Sequence, residues 1–459
     1  IGAYQLIHHF VIGCTDINAM NFDPYAEYDS GDCEYDPFGL INVPELYSTI
    51  QQAMQVASSG DTILIAPGIY FGEFSYQYKD LIIGSHFLTT GNHDFISQTI
   101  LDGNHQERVM TAKYIPDGTG EISGLTLRNG AASSGAGINI QHSNLWIHDV
   151  IIDSCSATGN GGGINLDSSS IVQLDHVTVQ NCSASNGGGI YTNCTLFEMN
   201  YSIITANNAN SGGGILVRRY SPNIYRTLIE NNTANNGAAI YVNGWSGNAN
   251  PLFNHCVITE NIATSSDGGL RLGYTANPII MNSILWNNQP NEVGFMNNTI
   301  QKSIVFLNSD VTGGLSSMPI DDDFDLYWLS GNFDQAPQFV TGPSGDYELA
   351  ESSPCIDTGI QDTTIYYNEG ELELIVPAQY FVNTAPDVGI WESGMEMDCI
   401  VGDINQDDEF NVLDIILVVN IILEFINPDD YQICSADLNA DLQINILDVV
   451  ALVDLILES

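Results

Sequence analysis

Basic residues are the scarcest feature of this chain. Nine Lys and Arg stand against 56 Asp and Glu in 459 residues, a formal net charge of −47. That balance excludes nucleic acid and anionic membrane surfaces as default partners, since phosphate needs a basic stripe that is not there. It favours divalent cations, or solubility in a salty or calcium-rich exterior. Long hydrophobic runs are also missing: no apolar stretch reaches the roughly eighteen residues that would make a helical membrane span. The opening "IGAYQLIHHFVIG" has neither a basic n-region nor an A-x-A cleavage site, so it reads as an already processed N-terminus. The nine His are scattered without H-x-H or H-E-x-x-H, and no Ser or Cys sits in a nucleophile motif. Cys is sparse and odd in number, nine, so at least one thiol is unpaired or bonds another chain. Several of the nine stand where disulfides make sense, which points to an oxidising, extracellular compartment. What is plentiful is apolar residues (44%) and Gly (43), enough core for two or three domains.

Residues 14–35, "CTDINAMNFDPYAEYDSGDCEY", are polar and rich in turn formers. Such a segment cannot bury a core, so a Cys14–Cys33 bridge is the expected source of its order. It resembles the short "GCTD" modules of secreted bacterial proteins. In "YSTIQQAMQVASSGDTILIAPGIY" (47–70), Ile50, Ala53, Met54 and Ala57 recur at helical spacing, and "DTILIAPGIY" then reads as a strand closed by a Pro-Gly turn. A short helix followed by strands can cap an all-β body.

From about 105 to 310 the sequence repeats. "GAGI", three "GGGI", "GAAI" and "DGGL" end at 138, 164, 190, 215, 240 and 270, at spacings of 26, 26, 25, 25 and 30. Before each comes a β-branched strand closed by a small polar residue, such as "LTLRN", "VTVQN" or "VITEN". A period near 25 residues with short strands and Gly/Asn turns suits one coil of a parallel β-helix. Each coil advances about 4.8 Å, so equivalent residues stack. Ile138, Ile164, Ile190, Ile215 and Ile240 are expected as an inner aliphatic column. Asn129, Asn181, Asn207, Asn231, Asn261 and Asn287 are expected as an amide ladder at a turn. Cys155 and Cys182 fall on adjacent coils, as a disulfide or as a buried thiol ladder.

Residues 47–310 resemble the right-handed parallel β-helix (pectin-lyase-like) superfamily, including its "T-I-Q-A-A … G-D-T-I-x-x-x-P-G-x-Y" start. "DQAPQFVTGPSGDYELAESSPCIDTG" and "DVGIWE", within 334–392, resemble the "choice-of-anchor" continuation of such proteins. The fold follows from the resemblance; a function does not, because this architecture hosts lyases, hydrolases, adhesins and structural proteins. The superfamily's enzymes carry Asp clusters, or calcium-binding Asp with an Arg or Lys base. Aligned on the turn Asn, Glu230 and Glu260 could stack about 5 Å apart, near a retaining glycosidase's carboxyl separation. Arg218, Arg219, Arg226 and Arg271 are the candidate bases, and Arg128 over Asp153 reads as an inter-coil ion pair. None of these matches a known catalytic signature, so no catalytic residue is assigned.

The last sixty residues write one pattern twice: Asp403, Asn405, Asp407, Asn411, Asp414, then Asp437, Asn439, Asp441, Asn445, Asp448. Offsets 1, 3, 5, 9 and 12 are those of an EF-hand-type loop, hard oxygens for a hard cation with the last acid on the following helix. Apolar helix follows each copy, "IILVVNIILEFI" and "VVALVDLILES". Duplicated loop–helix units with Asp at position 12 resemble a type I dockerin module over 399–459. The resemblance makes these ten side chains calcium ligands for two ions, with Glu409 and Gln443 adding backbone carbonyls, and Cys399 and Cys434 occupy related positions that could bridge. Position 6, usually Gly, is Asp408 or Leu442, so the second loop is expected to be strained. Positions 10 and 11 are Val412-Leu413 and Ile446-Leu447, apolar where dockerins often carry hydroxyls, which argues against a cohesin partner of the usual polar kind.

The expected protein is mainly β. A strand-like arm (1–13) and a disulfide-bonded acidic loop module (14–40) precede a right-handed parallel β-helix solenoid (41–315). A β-rich extension (316–398) and a small α-helical dockerin-like calcium-binding domain (399–459) follow. The expected role is that of a secreted structural, adhesive or self-assembling surface protein. Its partner would be another protein, or a second copy bound through the C-terminal module or the N-terminal arm, with carbohydrate as a further ligand class. The alternatives are a polysaccharide lyase or glycoside hydrolase recruited by its dockerin-like domain, or a non-catalytic carbohydrate-binding rod.

Overall fold

The computed structural model describes residues 12–13, 28–29, 39–116, 120–167, 169–245, 247–319, 321–342, 345–367, 370–375, 385–392, 401–405, 410–423, 432, 435–439 and 444–458. The body is a parallel β-solenoid of about eleven turns. Four parallel sheets run its length. The first has twelve strands, from Leu40–Val43 to Phe324–Trp328; the second has ten, from Gly68–Phe71 to Asp310–Val311. The third has six short strands, from Ala131–Ala132 to Ile262–Ala263; the fourth has nine, from Phe74–Gln77 to Val293–Phe295. The ladder passes from Lys302–Leu307 to Phe324–Trp328, so the boundary expected at 315 falls inside the last coil.

Alternation within each strand sends one side chain in and the next out. The inner column forms as expected: Ile138 pairs with Ile164, Ile164 with Ile190, Ile190 with Ile215, and Ile215 with Ile240. Helix α1 (Ile50–Val56) closes the N-terminal end. Thr49 caps it by accepting from the Gln52 N–H, and Ile50, Ala53 and Met54 are its buried face. Helices α2 (Phe87–Thr90) and α3 (Asp94–Gln98) fill the loop between the first-sheet strand Ile82–Ser85 and the second-sheet strand Thr99–Asp102 of one coil.

Asn207 and Asn261 are rungs of the amide ladder as expected, but at the other four positions the ladder column lies one residue further along. Asn129, Asn181, Asn231 and Asn287 hold left-handed φ of 53–61°, as do Ser154, Ala206 and Glu260 in the same column. The ladder itself is Asn207, Asn232, Asn261 and Asn288, all buried. Each amide donates to the next Oδ1, at 3.0, 3.0 and 2.8 Å. Cys155 and Cys182 occupy its first rungs as free, buried thiols, and the Cys182 N–H donates to Asn207 Oδ1 at 2.9 Å. No disulfide is present among the described residues. The expected Cys14–Cys33 and Cys399–Cys434 bridges, and the N-terminal arm apart from residues 12–13, lie outside them.

Past the rod, the chain returns along the outer face of the second sheet. Cys355, Val388 and Ile390 bury Leu228, Val257 and Ile284 there, with Phe339, Tyr347 and Trp391 packed alongside. Two antiparallel hairpins belong to this extension, Phe339–Gly342 with Gly345–Leu349 and Asp362–Tyr367 with Gly370–Ile375. The C-terminal helices α4 (Val412–Ile422) and α5 (Ile446–Glu458) pack around Ile404, Val418, Ala436 and Leu452, a core separate from that of the rod.

Candidate metal centre

Each C-terminal loop is tied to the helix that follows it by its last acid. Asn411 caps α4, its Oδ1 accepting from the Leu413 N–H at 2.8 Å, and Asp414 reaches back to accept from the Asn411 N–H at 3.0 Å. The other oxygen of Asp414 accepts from the Ile404 and Asn405 N–H groups at 2.9 and 3.1 Å. This is a capping box whose acid also fixes the start of the loop, at a helix end where negative charge is favoured. The whole set recurs 448 − 414 = 34 residues on. Asp448 accepts from Leu438, Asn439 and Asn445 N–H groups at 2.9, 3.4 and 2.8 Å, and Asn445 from the Leu447 N–H at 2.8 Å. Backbone geometry therefore repeats with the sequence.

Asp403, Asp414 and Asp448 are at most 1% exposed, while Asn405, Asn411, Asp437, Asn439 and Asn445 are half-buried. Asp407 and Glu409, and Asp441 and Gln443, lie outside the described residues, as do Asp408 and Leu442. Each loop thus shows two of its three ligand acids, and no group of three metal-ligating acids, His or Cys occurs among the described residues. The donor chemistry nevertheless fits calcium. Segment 399–459 holds thirteen Asp and Glu and not one Lys, Arg or His. A bound cation would supply counter-charge to these carboxylates, which the segment's own side chains do not.

Both repeats leave apolar side chains exposed, Ile446 at 64% and Val450 at 44% in the second, and the second also meets the rod. Val412, Leu413 and Ile416 of the first are 61%, 53% and 49% exposed. Asn445, Ile446 and Leu447 of the second adjoin α2, and with Leu40, Phe87 and Leu88 they bound a cavity of about 530 Å³ against the first sheet. On the cavity's rod side is a cluster that sequence reasoning missed. His148 hydrogen-bonds Glu121 at 3.0 Å through Nε2 and Asp149 at 2.8 Å through Nδ1, and its ring stacks on Trp146. Burial alone would lower its pKa; the two carboxylates outweigh it and hold His148 at about 9. Their sequence separation concealed this: Glu121 and His148 meet only because Glu121–Ser123 and Asn144–His148 are register neighbours.

The rod's candidate chemical groups separate. Glu230 pairs in register with Thr205 and Thr259, not with Glu260, which stands in the left-handed column. Glu230 instead accepts from the Tyr347 hydroxyl at 2.6 Å, from Asn231 at 2.8 Å and from Thr205 at 3.1 Å. Arg128 reaches back to Asp102 at 2.7 Å and does not pair with Asp153, which accepts from Asn181 at 2.8 Å. Arg226 is buried and donates to the Ile390 carbonyl at 3.3 Å, pinning the extension. Arg271 is paired with Asp267 at 2.8 Å. Arg218 and Arg219 lie beside the fourth sheet.

Coil register and the paired loop–helix units define a parallel β-helix protein carrying a small duplicated cation-loop module. Residues 401–457 match the family of the dockerin type I domain, so the C-terminal domain is a dockerin type I domain; such domains bind calcium. Among solved structures, the chain is similar to pectate lyase Pel9A, at 11% identity and TM-score 0.45 over 84% of this chain and 96% of that one. It is also similar to a pectin methylesterase from Aspergillus niger, at 16% identity and TM-score 0.28 over 63% and 92%. A PL6 family alginate lyase, AlyGC, aligns at 11% identity and TM-score 0.22 over 68% and 55%. At such values nothing about this chain's chemistry follows from them. No curated protein matches the chain.

Proposed function

We propose that this protein is an extracellular β-solenoid held in a larger assembly by its dockerin domain, in a calcium-dependent manner, with the rod serving as a structural or adhesive element. The observation that carries this reading is the apolar edge of the first repeat. Val412, Leu413 and Ile416 face solvent at the positions where the loop enters its helix, on a domain without a single basic residue. Apolar side chains grouped at a loop–helix junction suit a protein partner with an apolar face. Calcium in the loops would hold that junction rigid, since Asp414 fixes both the loop and the helix start.

The test is binding to the full chain of a recombinant type I cohesin domain whose dockerin-facing surface is apolar, since Val412-Leu413 and Ile446-Leu447 argue against one of the usual polar kind, measured by calorimetry in calcium and in chelator. Binding is expected in calcium, and should fall at least tenfold in chelator and in the double variant Val412→Asp/Leu413→Asp. Binding that ignores both changes overturns the proposal. If no cohesin binds and the protein forms large particles in calcium, self-assembly through the same module replaces it.

A further inference from the structure

We infer that a cleft on the fourth sheet, away from the dockerin domain, binds the ring of an anionic sugar. Its floor is a register column pointing outward: Tyr191 pairs with Leu216 and Leu216 with Tyr241, and the three side chains form a packed cluster. The wall comes from the loops that follow these strands. Trp245, 46% exposed, stands edge-on to Tyr274 with ring centroids 4.5 Å apart. Arg218, next after the strand Ile215–Val217, closes the other side. The open cleft holds about 260 Å³, just below the usual range for ligand pockets and enough for a single sugar ring. An exposed indole offers a flat apolar face to the C–H side of a pyranose, and tyrosine and asparagine supply hydroxyl and amide partners for its edge.

Charge decides the class of sugar. The chain has 56 acidic side chains and six arginines, and four of the six are ion-paired: Arg108, Arg128, Arg226 and Arg271. Arg218 and Arg219 have no carboxylate within 4.0 Å among the described residues. No Asp or Glu lines the cleft. In so acidic a molecule, an acid-free pocket lined by an arginine without a carboxylate partner, with a second arginine next in sequence, is a local inversion of sign. A guanidinium fork takes carboxylate or sulfate oxygens two at a time. Arg218 and Tyr191 both line the cleft. A carboxylated and a sulfated pyranose share this chemistry.

Calorimetry on the full, calcium-loaded protein tests it with three tetrasaccharides: a uronic-acid one, its fully methyl-esterified form and a sulfated one. The uronate, the sulfated probe or both should bind, with the ester at least tenfold weaker than the uronate where the uronate binds. Binding of the sulfated probe alone assigns the source as a sulfated glycan. Arg218→Gln should remove the preference for the anion, and Trp245→Ala should weaken every probe at least tenfold while the thermal melt stays unchanged. Equal binding of ester and uronate, indifference to Arg218→Gln, or no binding of any probe overturns the inference. No cohesin enters the measurement, so its outcome is independent of the tethering proposal.

Discussion

An asparagine buried between coils has to satisfy its amide, its carbonyl and the backbone above it at once. Asn261 does so: its Nδ2 donates to Ile229, Thr259 and Asn288, and its Oδ1 accepts the Asn232 backbone and side-chain N–H groups at 2.9 and 3.0 Å. Asn–Asn pairs such as 231–232 and 287–288 made the register ambiguous in sequence, because Asn suits both the left-handed bend and the ladder that follows it. The expected ladder therefore held two correct rungs, Asn207 and Asn261, and four bend residues. Replacing Asn261 with Ala strands buried donors on Asn232, and we expect a loss on the order of 3 kcal/mol. Asn231→Gly, at φ +53°, should change stability by less than about 0.5 kcal/mol, since Gly enters that region freely. Calorimetric melts of the two variants check this; a larger loss from Asn231→Gly would return the ladder to the earlier register.

At the level of strands, the 25-residue period and the inner Ile column were legible, because a solenoid repeats its packing with its sequence. What one coil presents to another sideways was not. Glu230 and Glu260 looked equivalent because each precedes an Asn, but Asn231 is a bend residue and Asn261 a ladder rung, and the cover laid over the second sheet by Phe339, Tyr347, Cys355, Val388 and Ile390 has no periodic signature. The strand-to-strand clamp at His148 belongs to the same hidden class. Its folded pKa of about 9 lies above the ordinary 6.5, so the imidazolium is favoured by folding. The stabilisation is complete below pH 6.5 and is lost as pH rises through about 9. Around the ring stand Glu121, Asp149, Ser123, Trp146 and Phe87. Melting temperatures of wild type and His148→Gln should differ most at pH 6 and converge by pH 10. A difference that stays constant across that range would mean the clamp works by packing alone.

The whole molecule contains two cores of different dependence. The rod's core runs unbroken from Ile41 to Phe324, built of apolar contact and backbone ladders that need no ion. The dockerin core is small, and the loops beside it gather acids that repel one another without a cation. The dockerin type I domain was legible because its duplicated loops fix both residue type and spacing; the contact of the second repeat with α2 was not, because it depends on the path of the intervening chain. Chelation should therefore melt α4 and α5 and leave the solenoid standing. In calorimetry, a low transition should move up as calcium concentration rises, the stability behind it growing by RT ln(1 + [Ca²⁺]/Kd) per ion bound, while a high transition stays in place. The second repeat's seat on the rod, where Asn439 faces Gly91 and Ile446 and Leu447 meet α2, provides a finer outcome. If that seat transmits stability, Leu88→Asp should lower the first transition at fixed calcium without moving the second. A single transition that shifts as a whole with calcium would show instead that rod and dockerin domain fold as one unit, and that the ion stabilises both.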